Sequence, residues 1–130
     1  MAERAARVAP EVERATRELG LLALGESRRL MTAEIYSKPV DKRKDGKAKW
    51  TRTGALRRAE RLQSRGFGKV SLVNDMVYAR RRHEANKPGY PYHVAAGRTA
   101  HWRDDMRQRI EPKRQRIMAE MLRRILAGGL

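Results

Sequence analysis

Few residues in this chain could support acid–base or metal chemistry. There are three histidines and no cysteine, so a thiolate nucleophile, a disulfide framework and a thiolate metal site are all excluded. His83 and Glu84 are neighbours whose side chains diverge on any regular element, and His93 and His101 are separated by a glycine-containing loop, so neither pair has a metal-ligand spacing. Asp104 and Asp105 are also adjacent. That suits pairing with Arg103, Arg107, Arg109 or His101 on helix faces better than the separate roles of a catalytic acid and base. The "GFG" at 66–68 lacks the following Gly-Lys-Ser/Thr and the strand-to-helix context of a phosphate-cradling loop. On these grounds the chain is read as a non-enzyme with no catalytic residue, cofactor or metal.

The other chemistry available is charge. The formal net charge is +16 over 130 residues, and it is localised. Residues 1–37 carry six Arg against six Glu, whereas 38–69 carry twelve Lys/Arg against three acids. Such an imbalance calls for a polyanionic neighbour, either nucleic acid or an acidic protein surface. The contact candidates are Lys42, Arg43, Lys44, Lys47, Lys49, Arg52, Arg57 and Arg58. Through phosphate contacts their binding would fall steeply with salt; otherwise the run is simply a solvated loop. Aromatic residues make up 5% of the chain, too few for a stacking platform on single strands. Base reading by the helix at "TGALRRAERLQ" lacks a second helix close before it, so helix-turn-helix geometry is missing.

The elements that must position these groups follow from periodicity. Val8, Val12, Ala15, Leu19 and Leu22 recur at helical steps, predicting a long N-terminal helix with Pro10 in its first turn. The stripe continues through Leu24, Leu30, Met31 and Ile35 to a stop at Tyr36-Ser37-Lys38-Pro39. Gly20 and Gly25 mark a bend or a close contact. Residues 38–52 read as a mobile basic loop turning at Asp45-Gly46. Thr53 caps a short helix from Gly54 that buries Leu56, Ala59 and Leu62 and ends by Arg65-Gly66. Phe67, Val70, Leu72 and Val73 form a strand before the Asn74-Asp75 turn. "MVYARRRHEAN" fits either a second strand over Met76–Ala79 or a first helical turn. It is read as strand first, then a turn through His83 and Glu84. An irregular loop ends in an extended piece at Tyr92–Ala95. Two helical stretches follow, with a restart or kink at Glu111-Pro112 and a stop at Gly128-Gly129. The last has an apolar face of Ile117, Met118, Met121, Leu122, Ile125 and Leu126, part of which suits an oligomer interface. The sum is one α+β domain over 1–130: long N-terminal and C-terminal helices packed on a small antiparallel sheet, with a short middle helix.

"TRTGALRRAERLQ" followed by "VSLVNDMVYARRRHE" resembles the tailed-bacteriophage head-to-tail joining family, the neck or tail-completion proteins. In that family a Thr-Gly-x-Leu-Arg turn opens a short helix, a strand leads to an Asn-containing turn, and a Tyr-Ala pair precedes a Glu. The matching positions are Thr53, Gly54, Leu56 and Arg57, then Asn74, then Tyr78, Ala79 and Glu84. Arg52 stands where the family often has an acid, and Ala85 where a glycine usually follows the Glu.

The resemblance implies a virion protein without enzymatic activity. It would be assembled in the host cytoplasm and form a ring, a hexamer by analogy, between the head-side connector or stopper and the tail-terminator ring. Contact with duplex DNA in the lumen is part of that expectation, and a membrane is not. The charge alone also fits a basic nucleic-acid-binding protein of ribosomal or chromatin type. That alternative leaves the neutral N-terminal helix and the Tyr-Ala-Glu segment unexplained. A small nuclease using His83 and Glu84 is the third reading.

Overall fold

A computed structural model of the chain describes residues 2–38, 44–47, 54–91, 93–94 and 100–127, with side chains from Ala6 onward. Lys42, Arg43, Lys49, Arg52 and Thr53, most of the 38–52 loop, both ends of the Tyr92–Ala95 piece and the Gly128-Gly129 stop lie outside the described residues. The architecture is α+β: a long N-terminal helix, a short middle helix, a two-stranded antiparallel sheet and a C-terminal helix.

Helix α1 spans Ala2–Met31 and continues into a π-helical turn over Thr32–Tyr36, closed by Ser37 N–H donating to the Thr32 carbonyl at 2.8 Å. Pro10 lies inside α1 rather than in its first turn. The Ala-, Glu- and Arg-rich residues before it are strong helix formers and carry the helix upstream. Helix α2 is brief, Ala55–Ala59. Its N-cap, Gly54, sits at φ 76, where a side chain would be strained, and it offers no cap oxygen. The Tyr36 hydroxyl supplies one instead, accepting the Arg57 backbone N–H at 3.1 Å.

The sheet is a hairpin. Strand β1 (Arg61–Ser64) pairs antiparallel with β2 (Val70–Val73), with Leu62 opposite Leu72. Two sequence expectations change here. The middle helix stops at Ala59 instead of running toward Arg65, because Glu60 turns extended (φ −69, ψ 119) as its carboxylate reaches into the core. Leu62 therefore packs from a strand. The partner of β2 is β1 and not Met76–Ala79, since the Asn74 side chain accepts the Met76 N–H at 3.1 Å and Ala79 N–H closes a turn on Met76 O at 3.0 Å. Helix α3 follows at once, Ala79–Glu84, ending with Asn86 in the left-handed region at φ 65. Phe67 belongs to the hairpin turn and is exposed rather than part of a strand.

Helix α4 spans Trp102–Ala127 without interruption at Pro112. It runs antiparallel to α1, as the Glu26–Arg109 and Glu11–Arg124 pairs show at 3.4 and 3.9 Å. Trp102, Met106, Ile110 and Ile117 are its buried face. The first three join Ala23, Leu30, Met31, Ile35, Leu56, Ala79 and Ala100 in one core cluster, and each large member stabilises the fold by roughly 1.5–3 kcal/mol through its burial. Of the expected C-terminal face, Met118, Leu122 and Leu126 stay exposed. They lie on the side of α4 away from α1, where successive steps of four keep them in line. Among the described residues no helix is long and apolar enough to cross a membrane.

The hairpin reaches α1 at Gly20, where an added Cβ would stand 3.3 Å from both Leu62 Cδ1 and Val70 Cγ1. At Gly25 it would meet nothing within 4 Å. Gly20→Leu is therefore expected to cost about 1–3 kcal/mol in chemical denaturation through forced separation of hairpin and helix, and Gly25→Leu to cost nothing.

Candidate functional site

The most constrained group in the chain is the Glu60 carboxylate, which is 0% exposed. Ser27 Oγ donates to its Oε2 at 2.5 Å and Trp102 Nε1 at 2.9 Å. Arg103 forks onto it, with Nη2 to Oε1 at 2.6 Å and Nε to Oε2 at 3.4 Å. Asn74 Nδ2 lies 3.4 Å from Oε1, and Arg28 donates to the Glu60 backbone carbonyl at 2.8 Å. A buried carboxylate is tolerated only when its lone pairs are filled and its charge is matched, and here both conditions hold. Burial pushes the Glu60 pKa up, but Arg103, Ser27 and Trp102 outweigh it and hold the group below its ordinary 4.5.

Around this node the motif positions form one connected unit. Leu56 is buried, and its carbonyl accepts from Asn74 Nδ2 at 2.8 Å. Asn74 thus ties together α2, the end of β2, the turn at Met76 and Glu60. Ala79 is buried under that turn, whereas Tyr78 is 45% exposed. Arg57 does not point free into solvent: its Nη1 donates to Thr32 Oγ1 at 2.8 Å and its guanidinium stacks 4.7 Å above the Tyr36 ring. Arg58, Lys44 and Lys47 are exposed. Lys47 N–H closes a turn on Asp45 Oδ1 at 3.0 Å.

His83 and Glu84 do not diverge. His83 Nδ1 is 2.8 Å from Glu84 Oε1, because the short α3 leaves Glu84 free to fold back. His83 Nε2 accepts the backbone N–H of Arg103 at 3.1 Å, satisfying one of the open donors at the start of α4. That acceptor role requires a neutral ring with its proton on Nδ1, in keeping with burial pushing the His83 pKa down against the pull of Glu84. The ring meets Trp102 edge-on at 4.8 Å. Asp104, expected to pair with nearby arginines, pairs with Arg107 at 3.4 Å and more closely with Lys87 at 2.5 Å. His101 instead reaches the Ala85 carbonyl at 2.8 Å. These groups join α3 to α4. Among the described residues no three potential metal ligands come together.

Among the described residues two carboxylates, Glu11 and Glu34, each keep a buried oxygen without a hydrogen-bond partner. Glu34 lies in the π turn. Burial first, and then the neighbouring Asp105 carboxyl, push its pKa up to about 8, against the lowering influence of Lys38 and Arg109.

Sequence reasoning missed Glu60, Ser27 and Trp102, and it gave Arg103 to the adjacent aspartates where the structure gives it to Glu60. One signal was available: Glu60 is the sole acid between Asp45 and Asp75, in the most basic part of the chain. Compared with models of known families, with curated proteins and with solved structures, the chain matches none.

Removing the Glu60 charge leaves Arg103 unmatched, so Glu60→Gln is expected to lose about 3–5 kcal/mol in denaturant titration. The two acids also make opposite predictions for thermal stability against pH. Glu60, depressed in the folded state, contributes stability above 4.5 that is lost as pH falls through its lower folded value. Glu34, raised in the folded state, contributes stability below 4.5 that is lost as pH rises through about 8. Glu34→Gln should therefore flatten the upper limb alone, and melting curves across that range check it.

Proposed function

We propose that this chain is a structural component of the bacteriophage head-to-tail connector, forming a ring that joins the DNA-filled head to the tail. The observation that carries the reading is the connectedness of the motif positions. Gly54 in the left-handed region, Leu56 in the core, Asn74 bridging Leu56 and Glu60, buried Ala79, and Glu84 on His83 form one unit between the two long helices. These are positions at which the sequence resembles the neck family. A unit of this kind serves a joint well. It fixes the short helix and hairpin on a rigid helical pair, while the exposed residues around it remain available to neighbours.

Two further features favour assembly over catalysis. Met118, Leu122 and Leu126 line up at steps of four on the outer side of α4, an apolar surface suited to subunit contact. The excess positive charge lies in residues 38–69, next to the motif, where an acidic ring or DNA would be met.

The test is a mass measurement of the purified chain, alone and mixed with portal, stopper and tail-terminator proteins of the same phage. A closed ring of defined copy number, formed alone or on the neighbouring ring, is the expected result. A chain that stays monomeric with all of these partners present contradicts the reading. Salt-sensitive binding to random duplex without any ring would favour the ribosomal- or chromatin-type alternative.

A further inference from the structure

The tip of the β1–β2 hairpin carries Phe67, the single phenylalanine of the chain, with 60% of its surface exposed. It sits between Gly66 at φ 112 and Gly68 at φ 67, backbone conformations that favour glycine on both sides of the ring. The tip is closed by Arg65 N–H donating to Lys69 O at 3.0 Å and Lys69 N–H to Gly66 O at 3.2 Å. It is also anchored from below: Gly68 N–H donates to Glu13 Oε1 at 3.2 Å, and a Cβ on Gly68 would stand 3.2 Å from Val12 Cγ1. An exposed aromatic ring on a tip held at this many points enters a contact with little further ordering cost.

The surroundings define what it contacts. Along the chain from Arg61 to Asn74 there is no acidic residue, and the Glu13 carboxylate that reaches the tip is engaged by the Gly68 N–H. Arg65 and Lys69 bracket Phe67 along the chain, with Arg65 Nε donating to Ser71 Oγ at 3.2 Å, and Gln63 and Ser71 sit opposite each other on the outer face of the ribbon. Arg61, at the far end, is held by Asp75 at 2.7 Å. A lipid surface would want several apolar groups, and this tip has one. Contact with the Met118–Leu126 stripe of a second copy would bring Arg65 and Lys69 against the arginines beside that stripe, Arg116 and Arg123.

We propose that the hairpin tip is a wedge for duplex DNA: Phe67 enters the minor groove and partly unstacks one base step while Arg65 and Lys69 hold the flanking phosphates. Proteins that bind in this way insert an apolar side chain beside basic ones, partly unstack a base step and bend the duplex. The missing side chain at 66, where a Cβ would meet nothing within 4 Å, lets the sugar-phosphate backbone approach the ribbon, while that at 68 lets the tip sit close on α1. The proposal rests on the neck reading for the source of the duplex, which would be the packaged genome in the lumen, with the tip acting to pin it against slippage.

The experiment uses the full chain and a duplex carrying 2-aminopurine, whose fluorescence rises on unstacking, with end labels to report bending. Wild-type protein should raise the fluorescence and shorten the end-to-end distance. Phe67→Ala should abolish both while keeping the melting temperature, and Phe67→Trp should retain both. The double variant Arg65→Ala/Lys69→Ala should reduce the slope of log affinity against log salt by about two. Wild-type protein that fails to bind the duplex at low salt overturns the wedge, and so does binding with fluorescence unchanged by Phe67→Ala. Loss of wild-type binding only on adding an acidic polypeptide with an apolar pocket, with no 2-aminopurine response beforehand, overturns it in favour of a protein partner. Either failure leaves ring assembly, measured separately by mass, as it was; a wedge signal from a strictly monomeric chain would sustain the wedge and remove the neck.

Discussion

One buried negative charge sets where the middle helix, the hairpin and the start of α4 meet α1. The Glu60 carboxylate takes donors from α1 (Ser27), from the start of α4 (Trp102 and Arg103) and from the end of β2 (Asn74). Satisfying it therefore fixes the relative placement of four segments at once. Its backbone turns the chain from α2 into β1, so the same residue decides where the middle helix ends and where the hairpin begins. An apolar residue of similar size would fill the space without that directional demand. Breaking such a node costs far more than its pairwise contacts suggest, because the Arg103 charge is left behind. The buried group thus specifies an arrangement more than it adds net stability.

A second consequence is the distribution of charge. A chain at +16 repels itself, and the acids it has are used against that repulsion at defined joints. Glu26 and Glu11 stitch α1 to α4, Glu84 and Asp104 hold Lys87 between α3 and α4, and Glu60 sits at the centre. What remains exposed is overwhelmingly basic, on the hairpin, at Arg58 and along the outside of both long helices. Few acids are left over to balance that surface.

The long helices were legible because their apolar positions repeat over many turns, which local sequence reports directly. Burial of Leu56 was legible for the same reason. The hairpin's first strand was not: Leu56, Ala59 and Leu62 continue a helical step, and the interaction that ends the helix at Ala59 is with residues 27, 102 and 103, far away along the chain. The strand assigned to Met76–Ala79 failed on a local detail, the Asn74 side chain folding the next residues into turns. His83 with Glu84 failed because the helix is too short to hold their side chains apart. The candidate contact residues divide similarly. Arg58, Lys44 and Lys47 lie on the surface, while Arg57 is drawn onto Tyr36 and Thr32, separated from it along the chain by the whole basic loop.

We propose that this unit is a joint in a virion neck. Imaging assembled tailed particles at side-chain resolution tests it most directly. The expected result is a ring of this fold between head and tail, with α1 and α4 in the ring wall, the Met118–Leu126 stripe at a subunit boundary, and Phe67 facing the duplex in the lumen. A neck whose density is fully accounted for by other chains would contradict it.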